Sequence, residues 1–175
     1  QIYQAAWNPI GGLGDTYSNQ IWLSISDPIL TGHPFSGKII PIRATWEVET
    51  NGINSSVQVP DDAIKWNSDL KKWEEIGTGI SAKSKIIYDL KFNQWHHGPE
   101  MDMNDIIYSM YFLSEWGSER TENDRTYDVD FSPQASQILN TLKGIRVIDE
   151  NTIEVYTNFW HFDSGEIASW GSVWS

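Results

Sequence analysis

The chain has 175 residues and a mass of 20.0 kDa, which is a typical length for one domain. Its 24 Asp and Glu residues outnumber 12 Lys and Arg, and the net charge of −12 disfavours nucleic acid and anionic membrane surfaces as partners. The chain lacks cysteine, which excludes disulfides and thiolate metal sites, and no apolar run is long enough to span a bilayer. Ten tryptophans are its most unusual feature.

The N-terminal part predicts one helix followed by extended segments. Asp15 is placed to cap a helix that ends before Pro28. The apolar residues of this helix, at helical spacing, are Tyr17, Ile21, Trp22 and Ile25. Residues 38–42 and 44–49 predict extended chain after a turn at 33–37, and Pro41 places the first of these stretches at a sheet edge or on a crossing connection.

The middle of the chain predicts antiparallel strands. Residues 63–66 and 70–76 form an expected hairpin in which Trp66 and Trp73 are cross-strand partners. Residues 83–92 alternate most clearly and predict a long, half-buried strand. The face predicted to be buried carries Ser84, Ile86, Tyr88, Leu90 and Phe92.

A helix is predicted to follow, with Asp102 as its N-cap and Asp105 at the third helical position, where a carboxylate interacts favourably with the helix dipole. Gly117 is placed to stop it. Residues 118–130 are rich in charged side chains and poor in apolar ones, which predicts a solvated loop.

The C-terminal part predicts a helix, a hairpin and a short last helix. Ser132 is the expected N-cap of a helix that reaches Gly144. Residues 144–148 and 152–157 predict a hairpin, and Ser164 is the expected cap of a helix through residue 173. The sum predicts an α+β fold: a mostly antiparallel sheet with three or four helices.

The sequence carries no established catalytic motif, so we expect no enzyme activity, no cofactor and no metal site. The four histidines are His33, His96, His97 and His161. The adjacent pair among them would point to opposite sides of an extended chain, which argues against a shared metal. A hydrolase with paired carboxylates stays open as an alternative, although most carboxylates lie in turns or at helix starts.

Most of the tryptophans are expected to pack in the core, and a minority to line a ligand cleft. The candidates for ligand contact flank irregular segments instead of lying in an alternating strand. They are Trp7, Asn8, Trp170 and Trp174.

Three consecutive segments read KIIYDLKF at 85–92, WHHG at 95–98 and MDMNDIIYS at 101–109. Together they resemble the signature of family 5 extracytoplasmic solute-binding proteins, the oligopeptide-, dipeptide- and nickel-type receptors of ATP-binding-cassette (ABC) importers. The family pattern is an amphipathic strand, an aromatic-His-Asp-Gly turn, and a helix that begins Thr-Ala-x-Asp-Val. His97 and Asp102 depart from this pattern, but Asp at the second position keeps the N-cap function.

Further segments resemble the family in the same order along the chain. They are NP at 8–9, SGKIIP at 36–41, ATWEV at 44–48 and KGIRVIDENTIEV at 143–155. The insertion at 52–78 is longer than usual and resembles that of archaeal or thermophilic members. On this resemblance, Trp46, Trp95 and Trp116 fall on or beside structural segments and are predicted core residues.

The resemblance implies that residues 1–175 are one domain, the N-terminal fragment of a larger two-lobed protein with a periplasmic-binding-protein type II-like fold. Such a protein binds peptides, or oligosaccharides, outside the cell or in the periplasm, and delivers them to the membrane permease of an ABC importer. We expect a monomer that is membrane-associated in its full-length form. A self-contained carbohydrate-binding module with exposed tryptophans is the alternative.

Overall fold

Most strands follow one another between the first and second helices in the computed structural model, which describes residue 8, residues 10–12 and residues 15–172. The helices α1 to α4 of this part are Thr16–Leu23, Met103–Gly117, Ser132–Thr141 and Ser164–Trp170. The strands β1 to β10 are Leu30–Gly32, Ile39–Pro41, Ala44–Thr50, Val57–Gln58, Ile64–Asn67, Lys72–Glu75, Ser81–Ala82, Ser84–Leu90, Leu142–Val147 and Thr152–Thr157.

A six-stranded sheet with the order β3-β8-β10-β9-β5-β6 forms the centre of the fold. Every pairing within it is antiparallel, and β8 lies between β3 and β10, so that Ile86 faces both Val48 and Val155. Two small antiparallel sheets, β1-β2 and β4-β7, complete the strand pairing of the described residues. The predicted α+β class, with a mostly antiparallel sheet and four helices, is confirmed.

The core lies between one face of this sheet and the helices. Ser84, Ile86, Tyr88 and Leu90 alternate into it from β8, as predicted, and Phe92 is half-buried just beyond the strand. Residues of α2 and α4 cover this face, among them Ile106, Met110, Ile167 and Ala168. Full burial of one such aliphatic side chain stabilises the fold by about 1.5–3 kcal/mol.

Tyr88 connects the sheet to α4. Its hydroxyl donates a hydrogen bond of 2.5 Å to the carbonyl oxygen of Ala168. Burial raises the pKa of Tyr88 well above its usual range, because the surrounding core cannot solvate a phenolate. The hydrogen bond therefore persists as a neutral contact at every physiological pH.

The start of α2 and the β5–β6 hairpin lie where local sequence patterns predict them. The Asp102 carboxylate accepts a hydrogen bond from the backbone of Asn104 at 2.8 Å, and Asp105 accepts from the backbone of Asp102 at 3.0 Å, which forms a capping box at the start of α2. Trp66 lies opposite Trp73 in the β5–β6 hairpin, with ring centroids 5.5 Å apart in an edge-on arrangement. Both predictions are confirmed.

Other boundaries differ from the predictions. Ser132 is the first residue of α3 and not its N-cap, and its hydroxyl donates to the carbonyl of Gly117 at 3.0 Å. This helix ends at Thr141 and β9 begins at once, so Gly144 lies in the strand. Asp163, not Ser164, caps α4, and this helix ends at Trp170, before the predicted end at residue 173. The short strand β1 was not predicted.

The connection at 118–130 is charged, as predicted, but it is not uniformly solvated. Arg120 lies largely buried, with its guanidinium 2.6 Å from Glu115 and 2.7 Å from Asp124. The same guanidinium donates to the Ser68 carbonyl at 3.1 Å. These contacts tie the connection to α2 and to the turn between β5 and β6.

Candidate functional site

A cavity of about 780 Å³ lies beside α1. The segment between α1 and β1, the turn at 94–96 and the C-terminal end of α4 form its other walls. We call it the α1 groove. Its apolar lining consists of Trp22, Leu23, Ile25, Pro28, Ile29, Leu30, Trp95 and Met101. Its polar lining consists of Ser26, Asp27, Gln94, His96, Ser169 and Ser172.

The helix α1 forms as predicted, but its apolar residues are not in the core. Asp15 caps it by accepting from the backbone of Ser18 at 2.9 Å. Trp22 is 54% exposed and Ile25 is 65% exposed. Contiguous exposed apolar surface of this kind marks binding surfaces in soluble proteins.

Trp95 forms part of the opposite wall. Its backbone donates to the Pro99 carbonyl at 2.8 Å and accepts from Gly98 at 2.9 Å, so a tight turn fixes its position. The indole nitrogen donates to Asp105 at 3.3 Å, which ties the ring to the start of α2. The ring is 39% exposed, so the prediction that Trp95 is a core residue is wrong. The turn that carries the WHHG segment holds it at the surface.

The other two tryptophans predicted for the core are half-buried. Trp46 packs against the hydrophobic core from β3. Trp116 lies on α2 with its ring centroid 5.7 Å from that of Phe112. Neither lines the α1 groove.

Asp27 is the carboxylate of the groove lining, and Arg43 neutralises it. The guanidinium of Arg43 approaches the Asp27 carboxylate through Nη2 at 2.5 Å and through Nε at 2.6 Å. This hydrogen bond raises the pKa of Arg43 above its usual range. The groove is therefore close to electrically neutral on this side.

Ser26 lies in the groove lining with a buried hydroxyl that has no hydrogen-bond partner in the described part of the chain. Its backbone N–H donates to the Trp22 carbonyl at 2.8 Å, so the main chain is fixed while the hydroxyl remains unpaired. An unpaired buried hydroxyl costs about 1–3 kcal/mol. Such a group merits a functional explanation.

Asn8, one of the four predicted site residues, uses its side chain to stabilise the turn that follows it and to connect this turn to Asp128. Its Oδ1 accepts from the backbones of Ile10 and Gly11 at 2.8 and 3.0 Å. Its Nδ2 donates to Asp128 at 3.0 Å and lowers the pKa of that carboxyl. Trp7, the predicted neighbour in the site, lies outside the described residues.

Trp170 is half-buried at the end of α4. Its indole nitrogen donates to the Thr141 hydroxyl at 2.8 Å, and its ring stacks on Phe159 at a centroid distance of 4.6 Å. It lines a separate, nearly filled cavity of about 10 Å³. Trp174 lies outside the described residues. Within the described part of the chain, no hydrogen bond or ring contact joins Asn8 to Trp170, and ligand contact by these residues stays a prediction.

A second, more polar cavity of about 500 Å³ lies between the β5–β6 hairpin and the start of β9. Lys65 extends along it and donates to the Leu142 carbonyl at 3.1 Å. Burial, together with the nearby charge of Lys143, lowers the pKa of Lys65. The Lys65 amine is thus held by its hydrogen bond to the backbone of β9.

Aromatic side chains also form a row on the outer side of α2. Tyr108, Phe112 and Trp116 follow one another at intervals of one helical turn, with centroid distances of 6.4 and 5.7 Å. Tyr108 is 61% exposed and the other two are half-buried. We call this set the α2 aromatic row.

No group of three or more His, Asp or Glu side chains is arranged to hold a metal ion in the part of the chain that the structure describes. Across the same residues, none of the helices combines the length and apolar character needed to cross a membrane.

The residues that line the α1 groove differ from those singled out in the sequence. The sequence does contain a feature that points to the groove residues of α1: residues 16–26 contain no charged side chain and carry several large apolar ones. Helical spacing predicts a buried face from such a pattern, and only the packing of α1 shows that the face stays open.

No protein-family model and no curated protein matches the chain. A solved structure does: the ABC transporter-associated periplasmic binding protein DppA from Helicobacter pylori, in complex with the peptide STSA. The match covers 92% of this chain and 26% of that chain, with 14% sequence identity and a TM-score of 0.48. The chain therefore spans about a quarter of the length of the structure to which it is similar.

Proposed function

We propose that this chain is the N-terminal part of an extracytoplasmic substrate-binding component of an ABC transporter, which binds peptides, or oligosaccharides, for import. The α1 groove carries the proposal. A concave, mostly apolar site with a few polar groups is the usual form of a small-ligand site. The ordered resemblance of segments 85–92, 95–98 and 101–109 to this family of receptors supports the same function.

The proposal is of a receptor and not of an enzyme. Catalysis of hydrolysis by carboxylates needs two that act on one bond. Asp27 is held in an ion pair with Arg43, so its carboxylate has a structural role. The remaining lining is apolar or carries hydroxyl, amide or imidazole groups, which suits capture of a ligand by burial.

The rest of the proposal concerns the whole protein. It acts outside the cell, at the cell surface or in the periplasm, and is membrane-associated in its full-length form. It binds its ligand as a monomer without a cofactor and passes it to a membrane permease. Residues 1–175 form one domain of it.

Titration of the full-length protein with a panel of peptides and oligosaccharides tests this function, with tryptophan fluorescence as the signal. Trp22 and Trp95 line the groove, so a bound ligand should change their emission. Burial of one aromatic side chain contributes about 1.5–3 kcal/mol, and we expect Trp22→Ala to weaken binding about tenfold or more. The control Trp46→Phe alters a residue outside the groove and should keep the affinity. No response to any ligand would overturn the proposal.

The α2 aromatic row favours a second candidate function, a carbohydrate-binding module. Aromatic rings spaced along one helix side offer a platform on which successive sugar rings can stack. This candidate predicts that glycan binding falls after Tyr108→Ala and is unaffected by Trp22→Ala. The receptor proposal predicts the reverse dependence.

A further inference from the structure

We infer that the α1 groove takes an uncharged, apolar segment of peptide, and that Ser26 supplies a hydrogen bond to the backbone of that segment. The inference rests on the proposed function and specifies which ligands the groove selects. Three observations carry it: the apolar lining, the neutralised carboxylate and the unpaired hydroxyl.

The lining selects against charge. Residues 16–26 carry no charged side chain, and Asp27 is paired with Arg43. A charged ligand side chain would lose its hydration in this groove, where Asp27 is already paired and no lysine or arginine is among the described lining residues. The net charge of −12 adds a further penalty for acidic ligands as they approach.

The lining also favours peptide over sugar. A sugar carries a hydroxyl on most of its carbons, and the aliphatic walls at Leu23, Ile25 and Ile29 would leave many of them unpaired. An apolar peptide has one N–H and one carbonyl per residue to satisfy and can bury its side chains against Trp22 and Trp95.

Ser26 is the residue positioned to satisfy one of those backbone groups. Its hydroxyl can donate or accept, and among the described residues it has no partner for either. The Ser26 backbone is fixed by its bond to Trp22, so rotation about χ1 is the freedom that the hydroxyl has to turn toward a ligand. A bound peptide group would therefore relieve an existing penalty as well as add a contact.

Calorimetric titration of the full-length protein tests the selectivity. The probes are acetyl-Ala-Leu-Phe-amide, acetyl-Glu-Leu-Glu-amide, acetyl-Lys-Leu-Lys-amide and maltotriose. We expect the apolar peptide to bind at least tenfold more tightly than each of the other three. Equal affinity for a charged peptide or for the sugar would overturn the inference and leave the proposed function standing. No binding by these probes or by the wider panel would overturn both.

The variant Ser26→Ala tests the role of the hydroxyl. We expect about fivefold to tenfold weaker binding of acetyl-Ala-Leu-Phe-amide, with thermal stability unchanged or raised, because the variant removes an unpaired buried group. Ser24→Ala is the matched control: the Ser24 hydroxyl donates to the exposed Gln20 carbonyl at 3.1 Å, so its loss should leave affinity unchanged. Unchanged affinity in Ser26→Ala, or a fall in stability as large as the fall in affinity, would overturn the assignment.

Discussion

The Glu115 carboxylate is the polar centre that holds the β5–β6 hairpin to α2. It is 2% exposed and accepts hydrogen bonds from the Trp66 indole at 2.7 Å and from Arg120 at 2.6 Å. Burial pushes its pKa upward, but the bonds from Trp66 and Arg120 prevail and lower it. A charge this deeply buried is stable only while these partners are present.

We expect Glu115→Ala to lower the free energy of unfolding by about 3 kcal/mol, because it leaves Arg120 and the Trp66 indole without their buried partner. Urea denaturation followed by circular dichroism measures the change. Glu119→Ala, at an exposed position four residues along the chain, should change stability by no more than about 0.5 kcal/mol. Equal effects of the two substitutions would contradict this account of Glu115.

Trp170 is a second residue whose contacts lead to a prediction. Its hydrogen bond to Thr141 and its stacking on Phe159 indicate that it stabilises the junction of α4 with the end of α3. Trp170→Phe keeps an aromatic ring and removes the donor, so we expect a loss of about 1 kcal/mol of stability with peptide affinity unchanged. A loss of affinity without loss of stability would instead support ligand contact by Trp170.

At the scale of elements, α2 and α3 meet at a close contact between small residues. A Cβ built at Gly117 would lie 2.4 Å from the Cβ of Ala135. Gly117 ends α2, as predicted, but its backbone does not adopt the left-handed conformation that favours glycine at a helix end. It is the approach of α3 that requires glycine here.

We therefore expect Gly117→Ala to destabilise the chain by about 1–3 kcal/mol, although alanine is the better helix former. The double variant Gly117→Ala with Ala135→Gly moves the methyl group to the other helix and should recover much of the loss. A double-mutant cycle from thermal unfolding measures the coupling between the two positions. Additive effects would show that the two helices do not press on each other at this point.

The elements that sequence reasoning placed best are those with strong local signals. The alternation of β8 and the N-cap at Asp102 are local patterns, and both appear where expected. Strand β1 has only three residues and forms because it pairs with β2. No local pattern predicts this pairing. Helix α3 stops at Thr141 because the next residue already pairs with β10, a contact between distant parts of the chain.

The site was harder to predict than the fold for the same reason. Trp22 has the spacing of a core residue, and nothing local distinguishes an apolar helix face that is covered from one that stays open. Ser26 is an ordinary helix-end serine in the sequence, and only the packing of residues 15–172 shows that its hydroxyl has no partner among them. Asn8 was chosen for its irregular surroundings, which reflect a turn held by its own side chain.

At the scale of the whole molecule, opposite charges are concentrated in a few buried or half-buried groups despite the net charge of −12. Glu154, in the middle of the sheet, lies 2.9 Å from Lys85 and accepts from the Tyr156 hydroxyl at 2.6 Å. Burial pushes the pKa of Glu154 upward, but these bonds prevail and lower it. Hydrogen bonds from Arg120 first, and then from the Thr126 backbone, lower that of Asp124 strongly.

These lowered pKa values make stability depend on pH. Because Glu115, Asp124 and Glu154 have lower pKa values in the folded chain than in the unfolded chain, the unfolded chain binds more protons in acid. Their contribution is complete above the unfolded values near pH 4–4.5 and is lost as the pH falls through the folded values.

Acidification also removes the repulsion among the excess carboxylates, which acts in the opposite direction. This relief is limited to a narrow pH range, because further protonation leaves the 12 Lys and Arg charges without counter-charges, and these then repel one another. We therefore expect the free energy of unfolding to change little between pH 7 and about pH 5, and to fall steeply below about pH 4. Urea denaturation at a series of pH values measures the curve. Glu154→Gln should flatten it in acid and lower stability at pH 7, and a stability that rose steadily from pH 5 to pH 3 would contradict the role given to these carboxylates.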